Sequence, residues 1–251
     1  MAETTAVVVI GGLPIAKSVA KYLPKHDYVI AADSGLHSAI DLGLRVNLVI
    51  GDMDSVDPAV LVAAEINGVT IQRMPRDKDA TDTELALLAA VAHGSRQIVL
   101  VTGGGGRLDH QLGVLSAMQH KALEDCEVSA LWDTARMQLL RGPGLCTIHG
   151  KVGDVVGLIA QHGDAIGVTT DGLKWSLNEG TLEAHSSRGV SNELVTATAT
   201  ISLAHGQLFV IQPNALEARD EKIPNRERNA RDLDSELLFF ACFNGFNSID
   251  E

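Results

Sequence analysis

Two acidic loops hold the residues best suited to chemistry. The first, Gly51-Asp52-Met53-Asp54-Ser55, follows a short apolar run, and the second, Asp77-Lys78-Asp79-Ala80-Thr81-Asp82, precedes an Ala- and Leu-rich stretch. Alternate residues of an extended segment point the same way, so Asp52 and Asp54 face one ligand if the backbone stays extended. Carboxylates are suitable ligands for Mg²⁺, which is usually coordinated by protein oxygens, water and substrate phosphates together. The loops therefore predict a magnesium site that holds a polyphosphate. The alternative is that these aspartates only stabilise turns and helix ends.

A glycine run, Gly103–Gly106, is followed by Arg107, Asp109 and His110. Glycines let backbone N–H groups approach phosphate oxygens closely, and an arginine adds a bidentate phosphate contact. The run lacks the Gly-Lys-Ser/Thr ending of a Walker A loop and the spacing of a dinucleotide fingerprint. We therefore expect phosphate binding of another type, the alternative being a flexible turn.

Composition excludes several other classes of function. The net charge of −12 and the 4% content of Phe, Trp and Tyr disfavour a nucleic-acid binder. Three cysteines without C-x-x-C spacing predict neither a disulfide framework nor a zinc site, and they fit the reducing cytoplasm. No apolar run is long enough for a membrane span, and the N-terminus lacks a basic signal-peptide region. Because no nucleophile elbow is present either, positioning and metal electrostatics are the expected means of catalysis.

The two halves of the chain differ in their pattern. In the first half, strand-like runs alternate with helical stretches, and Asp33, Asp52 and the glycine run each come directly after a strand. Ligands bind at the carboxyl ends of strands in open α/β sheets. In the second half, short β-rich runs follow one another, the last two at Leu194–Leu203 and Gln207–Ile211. We predict an α/β plus all-β chain: a Rossmann-like parallel-sheet domain over residues 1–138, a small antiparallel β-sandwich over residues 139–216, and a charged tail of no assigned role over residues 217–251.

Two motifs of the second half stand out. They are Gly172-Leu173-Lys174-Trp175 and the pair Ser191-Asn192. An exposed tryptophan can stack on a planar, cationic ligand, and the Ser and Asn side chains can hydrogen-bond to it. On composition alone, a core tryptophan and a polar turn are the more common explanation.

Taken in order, these motifs resemble the thiamine pyrophosphokinase (thiamine diphosphokinase) family over residues 6–212. The resemblance rests on Ala32-Asp33-Ser34-Gly35, the two acidic loops, Gly105-Gly106-Arg107-Leu108-Asp109-His110, Gly172-Leu173-Lys174-Trp175 and Ser191-Asn192. Met53 stands where the family often has phenylalanine, and its side chain is expected to pack inward. Ser34 stands where a glycine is common.

The resemblance implies a magnesium-dependent enzyme that transfers the pyrophosphoryl group of ATP to the hydroxyl of thiamine, giving thiamine diphosphate and AMP. It implies a homodimer, with thiamine lying between the α/β domain of one subunit and the β domain of the other. Carried onto this chain, it gives a metal set of Asp52, Asp54, Asp79 and Asp82 and a catalytic set of Asp54, Asp79, Arg107 and Asp109. The nucleotide and thiamine contacts it implies are Asp33, Thr81, Asp82, Gly105, Gly106, Arg107, His110, Trp175, Ser191 and Asn192.

Two competing functions stay open at this point. One is a nucleotide-dependent transferase acting on a different alcohol, against which the Trp175 and Asn192 motifs argue. The other is a non-catalytic sensor of thiamine or a nucleotide, against which the intact acidic set argues.

Overall fold

Six parallel strands form the centre of the molecule. The computed structural model describes residues 4–216 of the chain. The strands lie side by side in the order β4-β3-β2-β1-β5-β6. They are β1 (Thr5–Ile10), β2 (Tyr28–Ala32), β3 (Leu48–Gly51), β4 (Thr70–Arg73), β5 (Gln97–Thr102) and β6 (Glu127–Trp132). All six residues of β1 are buried, as expected for a strand covered on both faces of a sheet.

Helices cover both faces of this parallel region. They are α1 (Gly35–Asp41), α2 (Pro58–Ile66), α3 (Asp82–Ala92) and α4 (Leu108–Met118), with 3₁₀ helices at Lys17–Tyr22 and Lys121–Leu123. Val8 of β1 packs in one core with α3 and α4, whereas Val7 packs in the opposite core with α1 and α2. The expected cap of α2 is present, because the Asp57 carboxylate accepts a hydrogen bond from the Ala59 amide (2.8 Å) and Pro58 begins the helix.

The second half continues the same sheet and adds another. Strands β7 (Ala135–Arg141), β14 (Gln207–Gln212), β9 (Val155–Ala160) and β12 (Asn192–Glu193) extend it beyond β6, which gives ten strands in all. A separate four-stranded antiparallel sheet has the order β11-β10-β13-β8. Its strands are β8 (Gly144–His149), β10 (Ala165–Asp171), β11 (Gly180–Leu182) and β13 (Thr198–Leu203). Leu158 and Leu208 of the large sheet share one core with Ile148 and Ile201 of the small sheet.

The architecture agrees with the sequence prediction at the level of a mixed α/β sheet followed by a second, antiparallel sheet. Strand β7 crosses residue 138, the expected domain boundary, and pairs with β6 on one side and β14 on the other. Of the strand predicted over Leu194–Leu203, only Thr198–Leu203 is a strand. The predicted tail over residues 217–251 lies outside the described residues. No helix within residues 4–216 is long and apolar enough to cross a membrane.

The core between the two sheets can be tested with a matched pair of leucine substitutions. Leu208 is fully buried in β14, whereas Leu145 of β8 is 67% exposed. Leu208→Ala is expected to lower the free energy of unfolding by about 2–5 kcal/mol, because it leaves a cavity between the sheets. Leu145→Ala is expected to change it by less than about 0.5 kcal/mol. Urea unfolding followed by circular dichroism measures both, and equal effects would contradict the shared core.

Candidate active site

A cavity of about 750 Å³ opens at the carboxyl ends of the parallel strands. Residues that follow four strands and one that ends a fifth contribute to its wall: Gly11 and Gly12 after β1, Asp33 after β2, Asp52 after β3, Gly104–Gly106 after β5, and Trp132 at the end of β6. Residues at the start of α3 and in the first two turns of α4 complete the wall. The cavity therefore lies where open α/β sheets bind their ligands.

Three carboxylates converge in this cavity. Asp33, Asp52 and Asp82 each place one oxygen within 4.8 Å of the others. Asp33 stands in a left-handed backbone conformation (φ 49°), and its Oδ2 accepts a short hydrogen bond from the Ser55 hydroxyl. Asp82 is the first residue of α3. We call this group the carboxylate cluster.

Gly51 makes room for the carboxylate cluster. It has a φ of 151°, and a β-carbon on it would lie 3.1 Å from the β-carbon of Asp33 and 3.2 Å from Cγ of Asp82. Any side chain here would push the carboxylates apart, and the backbone conformation itself favours glycine. Gly51 was not among the predicted site residues, although its place directly before Asp52 was a signal for it.

The chemistry of the cluster fits a divalent cation. Oδ1 of Asp33 and Oδ1 of Asp82 are buried and accept no hydrogen bond from the described residues, although Lys78 Nζ lies 3.1 Å from Asp82 Oδ1. Burial raises the pKa of Asp82 above its ordinary value, Lys78 opposes this, and the nearby Asp52 and Asp33 charges add to it. A bound cation would satisfy the unpartnered Asp33 oxygen and relieve the repulsion between the carboxylates.

Asp54 and Asp79, two residues of the predicted metal set, lie outside the cluster. Met53 has a φ of 65°, so the segment is not extended as the sequence argument required. Asp54 is exposed and faces Arg76 at 3.8 Å, and Asp79 is also exposed. Met53 itself is buried in the core beneath, as the sequence predicted.

The glycine run forms an ordered loop beside the cluster. Gly104, Gly105 and Gly106 all have positive φ angles, between 64° and 75°. The Thr102 hydroxyl donates to the Gly11 carbonyl (3.0 Å) and accepts from the Gly104 amide (3.0 Å), so it clamps the loop to the one after β1. Neither Thr102 nor Lys78 was predicted as a site residue. Thr102 contacts Gly11, which is distant in sequence, and Lys78 contacts Asp82 only once α3 begins there.

Arg107 and Asp109 pair with each other at the start of α4. Arg107 donates from Nη2 to Asp109 Oδ2 (2.5 Å) and from Nε to Oδ1 (3.1 Å). This bidentate pair lowers the pKa of Asp109 to about 2 and raises that of Arg107. Both side chains are exposed. Arg107 and His110 line the cavity, and Thr81 lines it from the N-cap of α3, where its hydroxyl accepts from the Glu84 amide.

The remaining predicted residues lie in a second cavity, of about 550 Å³. Trp175 is 54% exposed there, with Lys174 Nζ 4.6 Å from the centre of its ring. The buried Asn192 side chain accepts from the Trp175 amide (3.1 Å) and donates to the Trp175 carbonyl (2.9 Å). Asn192 thus fixes the Trp175 loop, and exposed Ser191 sits beside it with a φ of 62°.

Two protein-family models match this chain. A model described as "Thiamin pyrophosphokinase, catalytic domain" matches residues 19–130, and one described as "Thiamin pyrophosphokinase, vitamin B1 binding domain" matches residues 146–208. Together they match more than half of the chain. The chain belongs to the thiamine pyrophosphokinase family.

Individual members of the thiamine pyrophosphokinase family align along most of the described chain. The thiamine pyrophosphokinase of Bacillus subtilis (strain 168) is 25% identical over 211 residues, which are 84% of this chain and 98% of the relative. Thiamine pyrophosphokinase 1 of Oryza sativa subsp. japonica is 27% identical over 63% of this chain and 62% of its own length. A crystal structure of the Bacillus subtilis protein superposes with a TM-score of 0.73 at 24% identity, covering 84% of this chain and 99% of that one. Yeast thiamin pyrophosphokinase gives a TM-score of 0.68 at 16% identity, covering 84% of this chain and 87% of that one. The solved structures show that the fold is shared.

The carboxylate cluster can be tested with a charge-neutralising pair of variants. In the wild type, Asp52 Oδ1 accepts a hydrogen bond from the Asp54 amide (3.1 Å). Asp52→Asn removes one charge from the cluster but keeps an oxygen that can accept this hydrogen bond. In EDTA its melting temperature should equal or exceed that of the wild type, because like-charge repulsion is relieved. With Mg²⁺ at 100 times its dissociation constant, the wild type gains about 2.7 kcal/mol of stability, and the variant should gain far less.

Asp57→Asn is the matched control, since it makes the same change at a helix cap outside the cluster. It should keep the full Mg²⁺-dependent shift in melting temperature. A full shift in Asp52→Asn as well would show that the cluster does not bind the cation.

Proposed function

We propose that this chain is a thiamine diphosphokinase, which transfers the pyrophosphoryl group of ATP to the hydroxyl of thiamine and gives thiamine diphosphate and AMP. The observation that carries the proposal is the carboxylate cluster beside a glycine–arginine loop at the carboxyl edge of the sheet. The family supplies the acceptor: the vitamin B1 binding model spans the segment that contains Trp175, Ser191 and Asn192.

The cluster residues Asp33, Asp52 and Asp82 would hold the Mg²⁺ ion. When bound, the ion neutralises charge on the phosphates of ATP. Asp54 lines the same cavity from outside the cluster. The glycine-loop amides and Arg107 bind the phosphate oxygens and stabilise the charge that develops on them.

The reaction is an in-line displacement at the β-phosphorus of ATP. The thiamine hydroxyl oxygen forms the new bond to this phosphorus, and the bond from the phosphorus to the oxygen bridging the α- and β-phosphates breaks. AMP leaves with that oxygen, and the hydroxyl proton passes to a base. The protein contributes mainly by holding the two substrates in line.

Asp109 and Asp79 are the two candidate bases. With its pKa at about 2, Asp109 is a poor proton acceptor while it stays paired with Arg107. A phosphate that draws Arg107 away would raise the pKa of Asp109 and free its carboxylate. Asp79 is exposed just before α3.

We further propose a homodimer in which each site combines two chains. The phosphate-binding residues and the thiamine-binding residues line two different cavities of one chain. Apolar side chains are exposed near both: Leu108 (69%) and Leu112 (52%) on α4, and Val190 (52%) beside Trp175. Leu108 and Leu112 are four residues apart on one helix and so share a face, as expected of a contact surface.

We also propose a role for each half of the chain and a location in the cell. Residues 1–138 act as a Rossmann-like catalytic domain and residues 139–216 as a β-sandwich that binds thiamine. A cytoplasmic location fits the free thiols of Cys126 and Cys146.

The activity predicts that AMP is released from ATP only when thiamine is present. Asp52→Asn should lower kcat by about 100-fold or more, because it weakens charge stabilisation at the phosphates, while Asp57→Asn should remain near wild type. Coupled detection of AMP with and without thiamine measures this. Steady ATP hydrolysis without thiamine would indicate another acceptor, and ATP binding without turnover would indicate a sensor.

The shared site predicts complementation between two inactive variants. Asp52→Asn damages the phosphate half and Trp175→Ala the thiamine half, so a mixed dimer keeps one intact site of its two. Co-expression should restore about a quarter of wild-type activity, because random pairing makes half of the dimers mixed. Differently tagged chains allow the mixed dimer to be isolated and assayed. If each site lay within one chain, the mixed dimer would stay inactive.

A further inference from the structure

The cavity that contains the carboxylate cluster has an aromatic side chain in its wall. Trp132, the last residue of β6, is the only Trp, Tyr or Phe among the described residues that line it. We propose that Trp132 is the platform on which the base of the nucleotide stacks. This inference rests on the proposed function, since it assigns the base end of the ATP site whose phosphate end is the cluster.

The order of the strands gives Trp132 a suitable distance from the phosphates. Asp33 follows β2, and β1 and β5 separate β2 from β6. Three strand spacings of about 4.8 Å place the ends of β2 and β6 about 14 Å apart. The glycine loop follows β5, between these ends. An extended nucleoside triphosphate on the cluster and the glycine loop therefore carries its base toward β6.

The Trp132 ring is held in place before any ligand binds. It packs against the core beneath α3 and α4 and is partly exposed. Its indole edge lies against Gly104, where a β-carbon would come within 2.4 Å of Nε1 and 3.0 Å of Cδ1. Because Gly104 has no side chain, the ring and the phosphate-binding loop touch directly. A rigid aromatic surface stacks on a base at low entropic cost.

Two residues of α4 also line this cavity. Val114 is buried and Gln111 is half-buried, and both line the cavity. Their spacing of three residues puts them on one face of the helix. Val114 gives an apolar wall, and the Gln111 amide carries both a donor and an acceptor, as does the polar edge of adenine.

The chain allows a direct test, because Trp132 and Trp175 are its only tryptophans. In a Trp175→Phe background, all tryptophan emission comes from Trp132. In the presence of Mg²⁺ and without thiamine, ATP and AMP should quench this emission, whereas inorganic tripolyphosphate should bind without quenching it. Quenching by thiamine alone would overturn the proposal, because the ring would then belong to the acceptor site.

Substitutions of Trp132 in the otherwise natural chain measure how much the ring contributes to ATP affinity. Trp132→Leu should weaken ATP binding about 5- to 150-fold, the change expected when base stacking is lost, and should leave tripolyphosphate binding unchanged. Trp132→Phe keeps an aromatic face and should restore most of the affinity. Unchanged tripolyphosphate binding shows that the Leu variant is folded and that the loss belongs to the base.

Calorimetry on the same samples distinguishes failure of the stacking role from failure of the proposed function. If ATP binds to the Trp175→Phe protein without changing Trp132 emission, and binds Trp132→Leu normally, the stacking role is wrong and the proposed function is unaffected. If neither ATP nor tripolyphosphate binds any variant or the natural chain, the proposed function fails, and the inference fails with it.

Discussion

Repulsion between three carboxylates is the physical constraint on which this site depends. Asp33, Asp52 and Asp82 come from the ends of two strands and the start of a helix, and the charges of Asp52 and Asp33 add to the burial that raises the pKa of Asp82. The buried strands β2 and β3 and the packing of α3 hold them together, and Gly51 supplies the space. Burial and the neighbouring charges disfavour the ionised form of Asp82, and a bound cation would offset both effects.

The second requirement is a phosphate loop that is ordered before the substrate binds. Four glycines in succession would make a flexible segment in isolation. Here the Thr102 hydroxyl and the hydrogen bond from the Leu13 amide to the Gly104 carbonyl (2.8 Å) tie the loop to its neighbour. Amides that are already fixed need no reorganisation when charge develops on a phosphate. The glycines therefore provide close approach, and the neighbouring loop provides order.

Local patterns in the sequence were sufficient for much of this structure. The apolar run at β1, the cap at Asp57 and the acidic loops depend on residues close in sequence, and each could be predicted. The family resemblance, carried by ordered motifs, was confirmed by the family matches. Asp52 and Asp82 of the carboxylate cluster were in the predicted metal set, but the place of Asp33 beside them could not be predicted, because it depends on how β2, β3 and α3 pack together. Trp132 gave no signal, since its contact with Gly104 arises only when β5 and β6 pair.

The continuous ten-stranded sheet has a mechanical consequence. Five residue pairs join β6 to β7, directly between the nucleotide half and the antiparallel half of the chain. A hinge at this point would have to break ladder hydrogen bonds in the middle of a sheet, where flexible joints are not found. The two halves of one chain are therefore joined by a continuous sheet and not by a hinge. Any closing around the substrates must come from loops between these elements, such as the acidic loop that precedes α3.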